Sequence, residues 1–213
     1  MSGRTPLSRI LLASASPRRY ELLRSLGLSV DVAASGYAET PVADLTPADL
    51  ATLHAGEKLR AALERRRGFP HDLPVLAADT VVDVDGVALG KPEDPDEAVA
   101  MLQRLSGRDH FVHTAFALAA PGRPRWVEER ATTRVRFYPL EPDEIREYVA
   151  TGEPLDKAGA YGIQGRAASM VESIDGDFYT VMGLPLARFI RAIRRLGFVL
   201  PETKELRRGL SVP

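Results

Sequence analysis

The segment Ser14-Ala-Ser-Pro-Arg-Arg19 carries the residue types of an anion-binding site. Ser16 can cap a helix that begins at Pro17, so free backbone N–H groups and the helix dipole favour an anion there. Arg18 and Arg19 add forked donors that match phosphate oxygens, and the hydroxyls of Ser14 and Ser16 add further donors. Two cations at a helix start oppose its dipole, and a bound polyphosphate would offset that cost. The alternative is a capped helix with two solvated arginines.

A carboxylate and a lysine further along the chain are the next candidates. Asp79 follows an apolar run and precedes Thr80. Aspartate is a poor strand residue and is costly to bury without a partner. Asp79 should therefore lie at a strand end, form an ion pair, or bind a metal. Lys91 follows a predicted hairpin that can return it towards Asp79, where it would either form the ion pair or bind phosphate.

The run from Leu155 to Gly165 is rich in glycine, with Lys157 before the glycines and Gln164 among them. Glycine has no Cβ, so such a run lets the backbone approach a ligand closely. A bulged strand is the alternative, because glycine content alone is a weak signal. The sequence contains no Walker A loop, no serine-hydrolase elbow and no zinc-binding histidine spacing.

Composition excludes several classes of protein. The chain has 213 residues, a formal net charge of −1 and no cysteine. The near-zero charge argues against a general nucleic-acid or anionic-membrane binder. The lack of cysteine excludes disulfides, thiolate zinc sites and iron–sulfur clusters, and it fits a reducing compartment. No apolar run approaches the roughly 20 residues that a membrane-spanning helix needs.

Strand and helix signals alternate along the chain, which predicts an α/β fold. They favour one elongated unit over residues 1–200, with two lobes around a cleft, and a loose tail at 201–213. The element boundaries come from helix-capping residues, helix-stopping glycines and Asp-Gly turns at 85–86 and 175–176, each predicted to close a hairpin. The predicted strands are 10–13, 30–34, 75–84, 87–89, 111–119, 126–138, 168–174 and 178–181. The predicted helices are 17–26, 46–67, 94–105, 142–150 and 184–196.

Five segments together resemble the Maf family of nucleoside triphosphate pyrophosphatases, also called septum formation inhibitor proteins. They occur in family order between about residues 11 and 186, and their combination is far more specific than any one of them. The resemblance implies an elongated two-lobed α/β fold with a mixed sheet, akin to the inosine triphosphate pyrophosphatases, and a central cleft. It also implies a divalent metal (Mg²⁺ or Mn²⁺), a cytoplasmic location and a homodimer. The segments are LLASASPRRYELLRSLG, LAADTVV, GKPEDPDEAVAMLQRLSG, EPLDKAGAYGIQG and GDFYTVMGLPL.

The resemblance also assigns roles to individual residues. It implies that Asp79 is the catalytic carboxylate and proton acceptor, and that Glu39 is a second metal ligand beside it. It implies that the phosphate-binding loop is 14–19. The lysines that match the family's substrate-binding lysines are Lys58, Lys91 and Lys157.

Three positions separate the family's branches, and here they hold Arg18, Thr80 and Gln164. That combination resembles the branch acting on dTTP and UTP rather than the branch that prefers 7-methyl-GTP. Gln164 offers an acceptor and a donor that can pair with the N3–H edge of uracil or thymine. It can flip and pair with cytosine equally well, so other groups must contribute to the rejection of CTP. Ala115 departs from the glycine that the family more often has.

The implied reaction converts a nucleoside triphosphate and water to the monophosphate and pyrophosphate, as a house-cleaning step on nucleotide pools. Asp79 would orient or deprotonate the water, or bind the metal, and the sequence leaves these roles open. The substrate could equally be a modified pyrimidine nucleotide. The alternative function is a nucleotide-sensing interaction protein that arrests septum formation in cell division.

Overall fold

The computed structural model describes residues 4–40, 42, 44–65 and 70–201. Its first half contains β1 (Thr5–Pro6), β2 (Arg9–Leu12), α1 (Pro17–Ser25), β3 (Ser29–Val32), α2 (Pro47–Glu64), β4 (Val75–Val84) and β5 (Val87–Leu89). Its second half contains α3 (Pro95–Leu105), β6 (Asp109–Ala119), β7 (Val127–Phe137), α4 (Pro142–Ala150), β8 (Val171–Asp175), α5 (Phe178–Met182), α6 (Leu186–Arg195) and β9 (Phe198–Val199). Short 3₁₀ helices occupy Glu153–Asp156, Ala158–Ala160 and Gly165–Met170.

A seven-stranded mixed sheet forms the centre of the molecule, in the order β3-β2-β4-β6-β7-β8, with β5 paired to β4. β2 runs parallel to both β3 and β4, and the remaining pairs are antiparallel. β4 pairs with β2 only through its first two residues, whereas it pairs with β6 along almost its whole length. This sheet confirms the predicted α/β fold. β1 and β9 form a separate parallel pair.

α2 packs closely on the sheet because the residues at its contact are small. Ala51 and Ala55 on α2 are fully buried against Val81 on β4 and Ala115 on β6. Thr46 caps the helix through its side chain and Pro47 occupies the first turn, as the sequence predicts. This close packing brings Lys58 on α2 to Asp79 in the middle of β4. Ala115, the departure from the family pattern, is accommodated in this contact.

The second predicted hairpin is wrong. Residues 165–170 form a 3₁₀ helix, and only Val171–Asp175 form a strand. The segment predicted as the returning strand is the helix Phe178–Met182. Its start is capped by the Asp177 carboxylate, which accepts hydrogen bonds from the backbone N–H groups of Tyr179 and Thr180. The cap satisfies helix N–H groups that a strand would have paired across the sheet, so the chain turns away after Gly176.

The other predicted elements are present, with ends that differ by a few residues. The predicted helix 46–67 ends at Glu64, and residues 66–69 lie outside the described residues. The predicted tail also lies outside them from residue 202 onwards, so the single domain over 1–200 stays a prediction. No helix in the part of the chain that the structure describes is long and apolar enough to cross a membrane.

Candidate active site

A cleft with a cavity of about 860 Å³ collects the predicted site residues. It is lined by the loop before α1, by α2, by β4, by the turn after β5 and by residues within the segment 156–164. Segments far apart in the sequence therefore face one cavity. The predicted site residues that line it are Ser14, Ser16, Arg18, Arg19, Glu39, Lys58, Asp79, Thr80, Lys91, Lys157 and Gln164.

Lys58 joins the two carboxylates predicted to bind metal. Its Nζ lies 2.6 Å from Asp79 Oδ1 and 2.5 Å from Glu39 Oε1. Asp79 lies in the middle of β4 and its side chain is 8% exposed, whereas Glu39 is 53% exposed. Burial alone would raise the pKa of Glu39, but the hydrogen bond and charge of Lys58 hold it below its ordinary value. Lys58 is thus the ion-pair partner that a buried Asp79 requires.

Lys91 does not form the ion pair that the sequence left open. It lines the cleft and is exposed, and among the described residues it has no hydrogen bond or ion pair. Gln164 is likewise exposed in the cleft without a side-chain partner in the described parts of the chain. Both side chains are therefore free to meet a ligand.

The donor set at Lys58 fits a divalent cation of the magnesium type. Within the described residues there is no group of three or more His, Asp or Glu side chains that could hold a metal. Magnesium usually keeps several waters and takes one or two carboxylates together with substrate phosphates. Glu39 and Asp79 supply two carboxylates whose oxygens already share one cation, the Lys58 ammonium. Their chemistry fits such an ion together with a bound phosphate.

The two neighbouring arginines occupy different environments. Arg19 is buried and donates through Nε to the Gly183 carbonyl (2.8 Å), through Nη1 to Ser14 Oγ (3.1 Å) and through Nη2 to Thr80 Oγ1 (2.9 Å). Burial lowers the pKa of Arg19 from its ordinary value. Arg18 is partly exposed, and its Nη1 lies 3.7 Å from Asp156 Oδ2. Arg19 therefore holds the loop together, while Arg18 remains accessible in the cleft.

The start of α1 has one backbone N–H without a partner among the described residues. Ser16 Oγ accepts a hydrogen bond from the Arg19 N–H, and Ser14 Oγ accepts one from the Ser16 N–H. Pro17 has no N–H, so the Arg18 N–H is the donor without a partner at this helix start, among the described residues. The predicted capped helix is confirmed. Its capping serines use their oxygens within the loop.

Asp156 also lines the cleft and connects two cations. Lys157 Nζ donates to Asp156 Oδ1 (2.6 Å) and to the Glu153 carbonyl (2.6 Å), and Arg18 approaches the other oxygen of Asp156. Burial raises the pKa of Asp156, but the Lys157 hydrogen bond and nearby positive charges outweigh it and lower that pKa overall. An arriving polyanion would compete with Asp156 for both cations.

The polar and charged residues of the cleft that the sequence did not predict include Tyr37, His54 and Asp156. The Tyr37 hydroxyl lies 3.1 Å from His54 Nδ1, beside the Lys58 cluster. His54 precedes Lys58 by four residues on α2, a spacing that places both on one helix face and would have been a usable signal. Asp156 is adjacent to Lys157, but nothing in the local sequence distinguishes it from an exposed loop acid.

The sheet, the cleft and the facing charges define an α/β protein with a large charged ligand site. Residues 9–196 match the sequence profile of the family described as Maf-like protein. The chain belongs to this family, which confirms the resemblance.

Close relatives cover almost the whole chain. A Thermus thermophilus protein named dTTP/UTP pyrophosphatase is 48% identical over 92% of this chain and 98% of its own length. A Pelotomaculum thermopropionicum protein of the same name is 44% identical over 90% of this chain and 98% of its own. The solved structure of the Staphylococcus aureus Ham1 protein covers 61% of this chain and 72% of its own. Its identity is 12% and its TM-score 0.40, too low to carry an argument.

Proposed function

We propose that this protein hydrolyses dTTP and UTP to the monophosphate and pyrophosphate. Relatives named dTTP/UTP pyrophosphatase, 44% and 48% identical over nearly the full chain, support this activity. The observation that carries the proposal is the cleft itself. There a lysine-bridged pair of carboxylates faces Arg18, Lys91 and Lys157, a charge arrangement suited to a triphosphate and its hydrolysis.

Asp79 is the residue that acts on the water. Its Oδ1 is engaged by Lys58, and among the described residues Oδ2 has no hydrogen-bond partner and can accept a proton. The water oxygen bonds to the α-phosphorus, the bond from that phosphorus to the bridging oxygen breaks, and pyrophosphate leaves. Asp79 accepts the proton of the water as the bond forms.

The cationic side chains hold the triphosphate. Arg18 and Lys91 are accessible in the cleft, and Lys157 lines it with its Nζ held by Asp156 and the Glu153 carbonyl. Ser14, Ser16 and the start of α1 line the same cleft. Arg19 contributes indirectly, because three of its donors are engaged within the protein and keep the loop in place. The negative charge that develops on the leaving pyrophosphate is stabilised by donors already in position.

Glu39 and Asp79 would hold Mg²⁺ or Mn²⁺ together with the substrate phosphates. When bound, the ion supplies positive charge that neutralises the leaving pyrophosphate. Lys58 keeps the two carboxylates at one point before substrate binds.

A screen of nucleotide hydrolysis tests the proposal. Purified protein is incubated with the eight common nucleoside triphosphates, 7-methyl-GTP and 5-modified pyrimidine triphosphates, each with Mg²⁺, Mn²⁺ or chelator, and the products are identified. We expect metal-dependent release of monophosphate and pyrophosphate from dTTP and UTP. A diphosphate and phosphate as products would contradict the bond assignment. No turnover of any substrate would favour the nucleotide-sensing interaction protein instead.

A cytoplasmic location and a homodimer rest on the family resemblance, and the lack of cysteine supports a reducing compartment. We expect light scattering on the purified chain to give twice the monomer mass of 23.2 kDa.

A further inference from the structure

Two threonine hydroxyls and a threonine backbone carbonyl, from distant parts of the chain, form a line of hydrogen bonds that starts at the cleft. Thr80 on β4 lines the cleft, and its Oγ1 lies 2.9 Å from Oγ1 of Thr114 on β6. Thr114 is fully buried and donates to the backbone carbonyl of Thr180 in α5 at 2.7 Å. The line therefore ends on an acceptor that has no proton to give.

The proton positions in this line follow from the chemistry of its ends. A carbonyl oxygen only accepts, so the single hydroxyl proton of Thr114 is used on Thr180. Thr114 can then only accept from Thr80, which uses the single proton of Thr80. Arg19 Nη2 donates to the same Thr80 oxygen at 2.9 Å, and a guanidinium cannot accept. The Thr80 hydroxyl therefore donates to Thr114 and accepts from Arg19. One lone pair of its oxygen remains, and it can accept a hydrogen bond from a ligand in the cleft.

We propose that Thr114, together with Arg19, fixes Thr80 as a hydrogen-bond acceptor only, so that the site selects pyrimidines that carry an N3–H. This inference rests on the proposed pyrimidine triphosphate hydrolysis. Uracil and thymine present a donor at N3, whereas cytosine presents an acceptor there. An acceptor facing an acceptor leaves both desolvated without a partner, which is the situation that gives strong discrimination.

The arrangement supplies what Gln164 lacks. An exposed amide can rotate and exchange its donor and acceptor, so it pairs with either base. The Thr80 hydroxyl cannot exchange roles while Thr114 is held by Thr180. Thr114 touches no substrate and is a positioning residue.

Replacing Thr114 by valine tests this role. Thr114→Val removes the acceptor for the Thr80 proton, so Thr80 can rotate and donate to N3 of cytosine. We expect the ratio of kcat/KM for UTP over CTP to fall by about tenfold or more, mainly because CTP turnover rises. Thr114→Ser keeps both the donor and the acceptor and should keep the wild-type ratio.

Thr133 provides a matched control. It is also fully buried, and its hydroxyl donates to the carbonyl of Asp177 at 2.9 Å, just before α5, but it does not contact Thr80. Thr133→Val should therefore cost similar stability and leave the UTP/CTP ratio unchanged. A folded Thr114→Val protein with the wild-type ratio would overturn the proposal, as would an equal shift in Thr133→Val. An interaction of Thr80 with the ribose would give the first of these results.

A substrate analogue tests the same point without any variant. 3-Deaza-UTP has a C–H in place of the N3–H at nearly the same shape, and its O4 is a hydroxyl rather than a carbonyl. We expect the wild-type protein to turn it over about tenfold or more slowly than UTP, and equal rates would overturn the proposal. If the protein hydrolyses no nucleotide at all, the proposed function fails. Calorimetry with UMP and CMP then tests this inference separately. We expect the wild-type protein to bind UMP more tightly than CMP and Thr114→Val to lose that difference.

Discussion

Two neighbouring clusters of the cleft, which meet at Asp79 and Thr80 on β4, are held in different ways and are called here the charged end and the hydroxyl end. At the charged end, defined here as Glu39, Lys58 and Asp79, one ammonium group is shared between two carboxylates. At the hydroxyl end, defined as Arg19, Thr80 and Thr114, every contact runs from one donor to one acceptor, and Arg19 and Thr114 are buried. The carboxylates of the charged end have oxygens that can accept further hydrogen bonds, whereas each hydroxyl proton of the hydroxyl end is already donated to a named acceptor.

This difference separates the two tasks of the site. Ion pairs that include a half-exposed partner exchange easily, because water and a ligand can replace either partner at little cost. The charged end can therefore accept a metal ion and a triphosphate and release them again. A buried hydrogen-bond chain cannot change one member without leaving another unpaired. The hydroxyl end is therefore suited to discriminating between bases.

The largest expected effect is at the charged end. Asp79→Asn keeps the shape of the side chain and removes the carboxylate that accepts the proton. We expect kcat for dTTP to fall by about 10²–10⁴-fold, the usual contribution of a positioned acid or base, with a normal circular dichroism spectrum. Asp83→Asn is the control, because Asp83 lies on the same strand but pairs with His113 outside the cleft. Similar losses in both variants would remove Asp79 from its role.

The next largest effect is the dependence of stability on pH, through the buried His110 that contacts Tyr161 of the cleft. Tyr161 lines the cleft, and its hydroxyl lies 2.8 Å from His110 Nε2. His110 Nδ1 is buried with no partner among the described residues. Burial lowers the pKa of His110 from 6.5 to about 4, although Asp109 acts in the opposite direction. A folded-state pKa below the unfolded value means that the folded protein binds fewer protons, so stability is lost as pH falls through 6.5 towards 4.

We expect this one residue to remove about 3 kcal/mol of unfolding free energy between pH 6.5 and pH 4. Urea denaturation of wild type and His110→Gln at both pH values measures it, and the variant should lose less stability than wild type. His71→Gln is the control, since His71 is exposed. A variant with the wild-type acid loss would mean that His110 is protonated in the folded protein and that this wall tolerates charge.

Many helix starts and one hairpin could be predicted from the sequence, because they depend on the chemistry of neighbouring residues. Thr46 and Asp94 each cap a helix that starts with proline, and both side chains accept the expected backbone N–H. The turn at 85–86 closes the predicted hairpin between β4 and β5. Neighbouring residues decide each of these features, so a single sequence is enough to read them.

The rest depends on contacts between distant segments. The same Asp-Gly signal at 175–176 misled, because Asp177 caps a helix there instead of continuing a strand. Arg18 and Arg19 look alike in sequence, and only the approach of Gly183 and Thr80 makes one of them buried. The sequence left open whether Asp79 forms an ion pair and offered Lys91 as its partner, whereas the packing of α2 on β4 supplies Lys58. Such contacts depend on how elements pack, which no local pattern encodes.

The two arginines provide the smallest and sharpest comparison between accessible and buried donors. Arg19→Met should lower the unfolding free energy by about 1–3 kcal/mol, because it leaves the carbonyl of Gly183 without its donor and frees the Thr80 oxygen. Arg18→Met should change it by less than about 1 kcal/mol, since its ion pair with Asp156 is long and partly exposed. Urea denaturation of both variants measures the difference.

Their effects on binding should run in the opposite order. Arg18→Met removes a cation from the cleft and should raise KM for UTP and CTP alike, because a phosphate contact does not distinguish these two bases. Arg19→Met should instead leave the preference for UTP over CTP in place, because Thr80 still donates its only proton to Thr114. If Arg19→Met is as stable as wild type, the burial of its charge costs as much as its hydrogen bonds contribute. The hydroxyl end would then be held by Thr114 alone, and base selection should survive the loss of Arg19.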